Sequence, residues 1–468
     1  MNVGIHPNLL KISKTIPIFK KGSRLLVSNY RPISLLSNIN KILEKIVHNQ
    51  VYSFLEETQC IYSLQFGFRK KHSTDHALIE ITETIRQALD NKYIACGIFV
   101  DLQKAFDTVN HDILISKLEH YGIRDTANNW FASYLKDRSQ YVSILGFDSD
   151  TKLIAHGVPQ GSVLGPLLFL IYINDLHYSI KNSKVYHFAD DTNLLNIGNS
   201  PKKMQKLINA DLKILYNWLL ANKISLNSDK TEVIFFHKPG ERRPNILVKM
   251  NGHKIFPSTA IRYLGVYLDE TLNWSFHCGV LSKKLKRANG MLCKARHYVP
   301  LDDVKTLYFA IFSSHLTYGC QVWGQITTSF NQNIFKLQNR AIRIITFADF
   351  RADTSPLFHS LKILKLRDHI TKQNCMFVHD SLNNISPNCF RTYFKHTRDI
   401  HSRNTISANL GCLYIPSSGT IRYGLYSITN KCIANWNAFT KTSKVDLLTF
   451  SKISLSVKLT QHLLESYV

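Results

Sequence analysis

Three carboxylates carry the most chemistry in this 468-residue chain: Asp101 and the adjacent pair Asp190 and Asp191. Asp101 lies near the end of an apolar run of strand length, residues 93–102. Asp190 and Asp191 separate two further strand-like stretches, 184–188 and 192–197, which read as a hairpin with the acids at its tip. Three such acids, if the fold gathers them, can hold two divalent cations about 4 Å apart that activate a 3′-hydroxyl and stabilise a leaving pyrophosphate. Mg²⁺ suits that task, with Mn²⁺ as a substitute, because it accepts carboxylate and phosphate oxygens together while keeping waters. Each acid also has an ordinary reading, since an Asp-Asp pair is common turn chemistry and one Asp after a strand is commonplace.

The elements that must position these acids are legible from apolar spacing. Residues 15–19 read as a strand running into the basic turn Lys20-Lys21-Gly22. Asn38 to Leu55 carries Ile39, Ile42, Leu43, Ile46, Val47 and Val51 at helical spacing. Ser73 caps a helix with Leu78, Ile81, Ile85 and Leu89 on one face, and Asn110 or His111 opens another that ends near Gly122. An apolar helix follows Gly161, and Ser200-Pro201 begins one that runs to about Asn222. Strands are expected at 231–236, 246–250 and 261–268, and the pattern turns helical and basic from about 275. Helices and strands mix without regular alternation, so the expected class is α+β.

Composition narrows the partners. The chain has 58 Lys and Arg against 33 Asp and Glu, a formal charge of +25, which suits nucleic acid or an anionic surface. The longest apolar run, Val163 to Ile173, is interrupted by Gly165 and Pro166 and is far short of the ~20 residues that span a bilayer. No membrane partner is therefore expected. Nine scattered cysteines without a Cys-x-x-Cys pair, and no secretory leader at Met1, indicate reduced thiols inside a cell. Cys375, His379, Cys389 and His396 have metal-ligand residue types, but their spacing fits no zinc pattern.

Seven motifs then occur in order: Asn29-Tyr30-Arg31-Pro32-Ile33-Ser34; Gln65-Phe66-Gly67-Phe68-Arg69 with Ser73-Thr74; Asp101-Leu102-Gln103-Lys104-Ala105-Phe106-Asp107; residues 157–166, Gly-Val-Pro-Gln-Gly-Ser-Val-Leu-Gly-Pro; Phe188-Ala189-Asp190-Asp191-Thr192; Asn227-Ser228-Asp229-Lys230-Thr231; and Tyr263-Leu264-Gly265-Val266. In this set the chain resembles the reverse transcriptases of non-LTR (LINE-type) retrotransposons, in particular the jockey-like animal elements. More loosely, the likeness continues through Tyr318-Gly319 and Trp323-Gly324.

The resemblance implies a right-hand polymerase in which Asp101, Asp190 and Asp191 hold the metals. It implies that Phe106 is an aromatic gate against the ribose 2′-hydroxyl. Gln160 and Gly161 would lie beside the incoming deoxynucleoside triphosphate, and Arg31 and Arg69 would hold its phosphates. By the same likeness Lys230 protonates the leaving pyrophosphate, and Tyr263, Leu264 and Gly265 grip the primer. Asp107, Asp112 and Asp175 match no such role, and Asp107 is expected to face away or to begin the next helix. The implied organisation is fingers over 1–92, shortened at the N-terminus; palm over 93–270 with interleaved fingers elements; a helical thumb over 271–346; and a mostly helical extension over 347–468.

Between 275 and 346 ten basic residues face only Asp302 and Asp303, a local surplus of eight. Lys283, Lys284, Lys286 and Arg287 form its densest part, suited to following a duplex backbone without reading sequence. The expected partners are an RNA template, a DNA or RNA primer and deoxynucleoside triphosphates. The expected setting is intracellular, in the nucleus or a cytoplasmic ribonucleoprotein. Neither an endonuclease nor a ribonuclease H is recognisable, so target nicking is not expected of this chain. Three rivals remain. A non-catalytic nucleic-acid-binding remnant would keep the fold and lose the reaction. An RNA-dependent RNA polymerase is opposed by Phe106 and by Ala189 before the acids, and an intron maturase by residues 263–346.

Overall fold

The computed structural model describes residues 4–227, 230–325, 329–400 and 410–468. Its fold is α+β. The centre is a four-stranded antiparallel sheet in the order Glu232–Phe236, Ile94–Val100, Asp191–Gly198, Lys184–Phe188. Ile94–Val100 is apolar throughout because both of its faces are covered. Side-chain parity divides it between two cores. Ala95 and Phe99 join Ile234, Phe236, Leu195 and Tyr186 against the helix Thr74–Asp90. Cys96, Ile98 and Val100 join Val233, Phe235, Leu194 and Val185 against the helices Gly165–Ile173 and Pro201–Ala221.

A second sheet lies toward the N-terminus. Ile12–Phe19 pairs antiparallel with Tyr30–Leu35 and parallel with Arg138–Ile144, which also pairs with Phe147–Asp148 and Lys152–Ile154. Beside it, Asn38–Glu57 forms the expected helix, capped by Ser37, but its apolar spacing does not mark its buried face. Ile39, Ile42 and Ile46 are 70, 64 and 49 % exposed, while Asn40, Glu44, Val47, Tyr52 and Leu55 point inward. The cause is Glu44, whose carboxylate accepts hydrogen bonds from Asn40 Nδ2 (2.8 Å), Tyr134 Oη (2.7 Å) and Val163 N (2.6 Å). Three donors around one buried carboxylate offset its desolvation and set the rotation of the helix.

The strand expected over 261–268 is a hairpin, Ala260–Tyr263 with Val266–Asp269. It turns at Leu264 and Gly265, both with positive φ (43° and 86°), the backbone a two-residue turn of this hand requires. Beyond it, Ser275–Ala295 buries Cys278, Leu281, Leu285, Ala288 and Leu292 and leaves Lys283, Lys284, Lys286 and Arg287 exposed.

Residues after 346 are not an appendage. The core that begins on one face of the central sheet continues through Trp274, Trp323, Cys375, Phe377, Ile428 and Trp436. Helix Thr74–Asp90 is its spine, and it is bound to the C-terminal residues by polar side chains. Glu80 accepts from Tyr393 Oη at 2.5 Å, and Arg86 donates to the carbonyls of Arg422 and Tyr426, each at 3.2 Å. Asp90 accepts from Thr420 Oγ1 at 2.6 Å and Gly419 N at 3.0 Å.

Candidate active site

The register of the central sheet assembles the acids. Val100 lies opposite Thr192, so Asp101 leaves its strand beside Asp191, and Phe188 pairs with Asp191 to close the hairpin around Ala189 and Asp190. Ala189 has φ of +56°, a left-handed conformation that a non-glycine residue adopts only when its surroundings fix it.

What fixes it is the motif 65–69. Phe66 N donates to His187 O (2.8 Å) and His187 N donates to Leu64 O (3.0 Å), adding this segment to the sheet edge next to the hairpin. Gln65 is buried, and its Oε1 accepts from both Gly67 N (2.9 Å) and Ala189 N (3.1 Å). A Cβ on Gly67 would meet Ala189 N at 2.2 Å, so only glycine fits against the turn. Sequence reasoning gave Gln65 no role of its own, and only its place in the motif signalled one.

The charges are unbalanced. Burial raises the Asp190 carboxyl above its usual range and Asp101 adds to the rise, while Arg31 and Lys20 oppose it. Burial, with Asp190 and Asp101 beside it, pushes Asp191 up to about 6, again opposed by Lys20. Crowded, partly desolvated carboxylates of this kind fit cations. They do not form a closed cage. Among the described residues no three acidic, histidine or cysteine side chains converge to hold a metal by themselves. Asp101 Oδ2 instead accepts from Asn227 Nδ2 at 2.9 Å and from Lys230 Nζ at 3.3 Å.

A stability prediction follows, with its sign. An acid that binds its proton more tightly folded than unfolded destabilises the fold as it ionises. The Asp191 contribution to metal-free stability should therefore fall as pH rises from about 4 through about 6, against the opposite slope of buried histidines such as His76 and His187, whose pKa values burial lowers. Asp191 still reaches solvent, so screening limits the loss to about 1 kcal/mol. Asp191→Asn should gain stability relative to the wild type as pH rises from 4 to 7 in urea melts, by the amount this contribution loses. Mg²⁺ should raise the melting temperature of the wild type above pH 6 and raise that of the variant less.

The residues expected around a nucleotide divide into two groups. Arg31 is exposed and faces Asp190, and its strand lies beside the loop 157–161, with Ser34 N donating to Gln160 O at 2.7 Å. Gly161 has φ of +121°, and a Cβ there would meet Ser34 O at 2.5 Å. Phe106 is stacked on Phe169 at 4.9 Å with Phe68 edge-on at 6.1 Å, so its ring is held from two sides. Lys20 joins this group. The sequence showed it only as part of a basic turn, yet it is the cation that acts on both Asp190 and Asp191.

Three expectations need correction. Arg69 is no free phosphate ligand: Nε and Nη2 clasp Glu56 (2.9 and 2.8 Å), Nη1 donates to Tyr62 O (2.9 Å) and Gln65 O (3.3 Å), and its side chain is only 8 % exposed. It braces motif 65–69. Tyr263 cannot touch a primer, because it is 2 % exposed and packs edge-on against Phe99 at 5.4 Å; Leu264 and Gly265 form the turn, where Tyr318 Oη donates to Leu264 O at 2.6 Å. Asp107 does not face away. It accepts from Gln160 Nε2 at 2.8 Å and so orients that side chain. Lys230 is exposed beside Asp101, whereas Ser228 and Asp229 of the same motif lie outside the described residues.

Residues 18–268 match the family model described as reverse transcriptase (RNA-dependent DNA polymerase). The chain is 31 % identical over 404 residues to the RNA-directed DNA polymerase from mobile element jockey of Drosophila melanogaster, covering 83 % of this chain and 43 % of that protein. It is 29 % identical over 368 residues to the probable RNA-directed DNA polymerase from transposon X-element of the same fly, covering 76 % and 39 %. The chain thus spans about two-fifths of the length of these relatives. A solved structure, apo telomerase from Candida tropicalis, aligns with 98 % of this chain and 69 % of that one, with a TM-score of 0.42 at 11 % identity.

Proposed function

Since the chain belongs to the reverse transcriptase family and has its right-hand polymerase fold, we propose that it is an RNA-directed DNA polymerase extending a primer 3′ end on an RNA template. The observation that carries this reading is the sheet register that sets Asp101 beside Asp190 and Asp191, with Lys20 and Arg31 facing the acids. Asp101, Asp190 and Asp191 would hold two divalent ions, Mg²⁺ with Mn²⁺ as substitute. Bound there, the ions would lower the pKa of the primer hydroxyl and neutralise charge on the triphosphate.

The chain's own groups do the rest. Arg31 and Lys20 bind phosphate oxygens, the guanidinium through paired donors and the ammonium as a point charge. The Asp107 carboxylate orients the Gln160 amide beside the sugar and base. As the 3′-oxygen, its proton released to solvent, bonds to the α-phosphorus and the bond from that phosphorus to the oxygen bridging the β-phosphate breaks, Lys230 Nζ can pass a proton to the departing pyrophosphate. That requires Lys230 to let go of Asp101. The pair is exposed and 3.3 Å long, so little opposes the exchange.

The Phe106 ring, buttressed by Phe68 and Phe169, is the group we assign to exclude a ribose 2′-hydroxyl. Phe106→Ala should therefore narrow the preference for dTTP over UTP, measured as the ratio of kcat/KM on poly(rA) primed with oligo(dT), by ~10-fold or more. An unchanged ratio would remove Phe106 from the gate. The reading as a whole is tested by Mg²⁺-dependent incorporation of dTTP on the same substrate. A chain that binds this duplex without extending it is the non-catalytic remnant instead. Template RNA, primer, a nuclear or ribonucleoprotein setting and a place in retrotransposition belong to this proposal. Among the described residues no helix is long and apolar enough to cross a membrane.

A further inference from the structure

Apart from the acids with their cations and the basic helix Ser275–Ala295, a further strongly basic surface lies where the helix Pro201–Ala221 meets the hairpin of Val248–Met250 and His253–Ile255. The two are zipped together by neutral side chains. Gln205 Oε1 accepts from Leu247 N and Asn209 Oδ1 from Lys249 N, both at 2.8 Å, and Asn251 Nδ2 donates to Tyr216 Oη at 3.0 Å. Around this seam Lys202, Lys206, Lys213, Lys249 and Lys254 are all exposed, and the first three share one helix face through spacings of four and seven.

No carboxylate answers them locally. The single acid within 201–223, Asp211, is buried and accepts from Asn182, and 246–256 contains none. Lys249 and Lys254 are direct cross-strand partners, an arrangement of like charges that costs stability unless an anion lies across it. A groove of about 330 Å³ opens at the same seam, lined by Tyr216, Leu220, Ser225, Met250, Asn251 and His253. Its lining joins apolar side chains and an aromatic ring to amide, hydroxyl and imidazole groups, as suits an unstacked base and the 2′-hydroxyl of its ribose.

We infer that this seam is a second nucleic-acid site, where the lysines follow the backbone of single-stranded RNA and the groove receives one of its bases. The choice of RNA rests on the polymerase reading, in which the template supplies single-stranded RNA continuously. The groove also backs onto the acids. Ser225 and Leu226 pair with Gln103 and Leu102, and the next residue, Asn227, holds Asp101. RNA seated here stays attached to the enzyme while the cleft turns over.

The test uses the full chain with its cleft saturated by a short RNA–DNA hairpin, and follows labelled (rA)20 and (dA)20 by anisotropy across a salt series. Replacing Lys206, Lys213, Lys249 and Lys254 together by Gln should weaken (rA)20 binding ~10-fold or more and flatten its salt dependence by about 0.7 per lost phosphate contact. The fourfold Lys→Arg variant should bind like the wild type. Extension of a template too short to reach the seam should be unaffected. Unchanged affinity and salt slope in the Gln variant would overturn the site, as would loss of binding in the Arg variant. Equal binding of (dA)20 with equal loss would overturn its assignment to RNA. Absence of extension by the wild type would refute the polymerase reading alone, because the anisotropy does not depend on catalysis.

Discussion

Asp190→Asn should lower Mg²⁺-dependent dTTP incorporation on poly(rA)–oligo(dT) by on the order of 10³-fold while the protein stays folded. Asp190 is the partly buried acid at the hairpin turn, and Asp101, Arg31 and Lys20 all act on its carboxylate. The amide keeps the shape of the side chain and removes the charge that would hold the cations, and that charge stabilisation is worth several kcal/mol in the transition state. The change should not cost stability without metal. Asp190 is held above its usual range by burial and by Asp101, so neutralising it relieves repulsion. A variant inactive because it is misfolded would melt earlier than the wild type; this one should melt at the same temperature or later. Retention of activity within tenfold would mean that the reaction does not pass through these acids.

The second large effect is on folding. Glu83 is fully buried on the helix Thr74–Asp90, and its carboxylate accepts from Ile428 N at 3.0 Å and Thr429 N at 3.4 Å. Those are the first two residues of the helix Ile428–Ser443, so the charge meets unpaired amides at the positive end of a helix. Burial raises the Glu83 carboxyl above its usual range, and Arg86, equally buried one turn away on the same helix, opposes the rise together with the two amides. Glu83→Ala leaves Arg86 buried without its counter-charge and the two amides without an acceptor. It should lower unfolding free energy by ~2 to 4 kcal/mol in urea, the usual cost of leaving buried amides without an acceptor and opening a cavity. Glu83→Gln keeps an acceptor and should lose less. A loss under about 0.5 kcal/mol in the Ala variant would show that residues after 346 do not depend on this helix. The connection reaches the acids, because Glu80 pairs with Lys184 at 2.7 Å and Thr84 accepts from Tyr186 Oη at 3.0 Å on the strand leading to Asp190.

Local signals in the chain account for the elements and fail for their faces and partners. The run through Val100, the cap at Ser73 and the Ser200-Pro201 helix start are visible because apolar period and capping chemistry act within a few residues. In Asn38–Glu57 the period misleads, since Glu44 finds its donors about 90 and 119 residues away, at Tyr134 and Val163. The hairpin of 248–255 carried a readable signal in Asn251-Gly252, both with positive φ, yet only a strand over 246–250 was expected. Within the candidate site, motif order singled out residues that the fold brings close together: the acids, Phe106 and the loop at Gly161. It could not show that Arg69 is consumed by Glu56 or that Tyr263 is core. Those outcomes depend on which side of an element faces the cleft. Asp107 was set aside for the same reason, and the contact to Gln160 that gives it a role spans 53 residues.

The central claim is that this chain copies RNA into DNA with these acids. Its most direct measurement is extension of a labelled DNA primer on an RNA template of mixed sequence, with the four deoxynucleoside triphosphates and Mg²⁺, followed by sequencing of the product. The wild type should give a complementary DNA extended to the template end, lost on chelation and absent with Asp190→Asn. A wild-type protein that binds this primer–template and adds no nucleotide at any Mg²⁺ or Mn²⁺ concentration would contradict it.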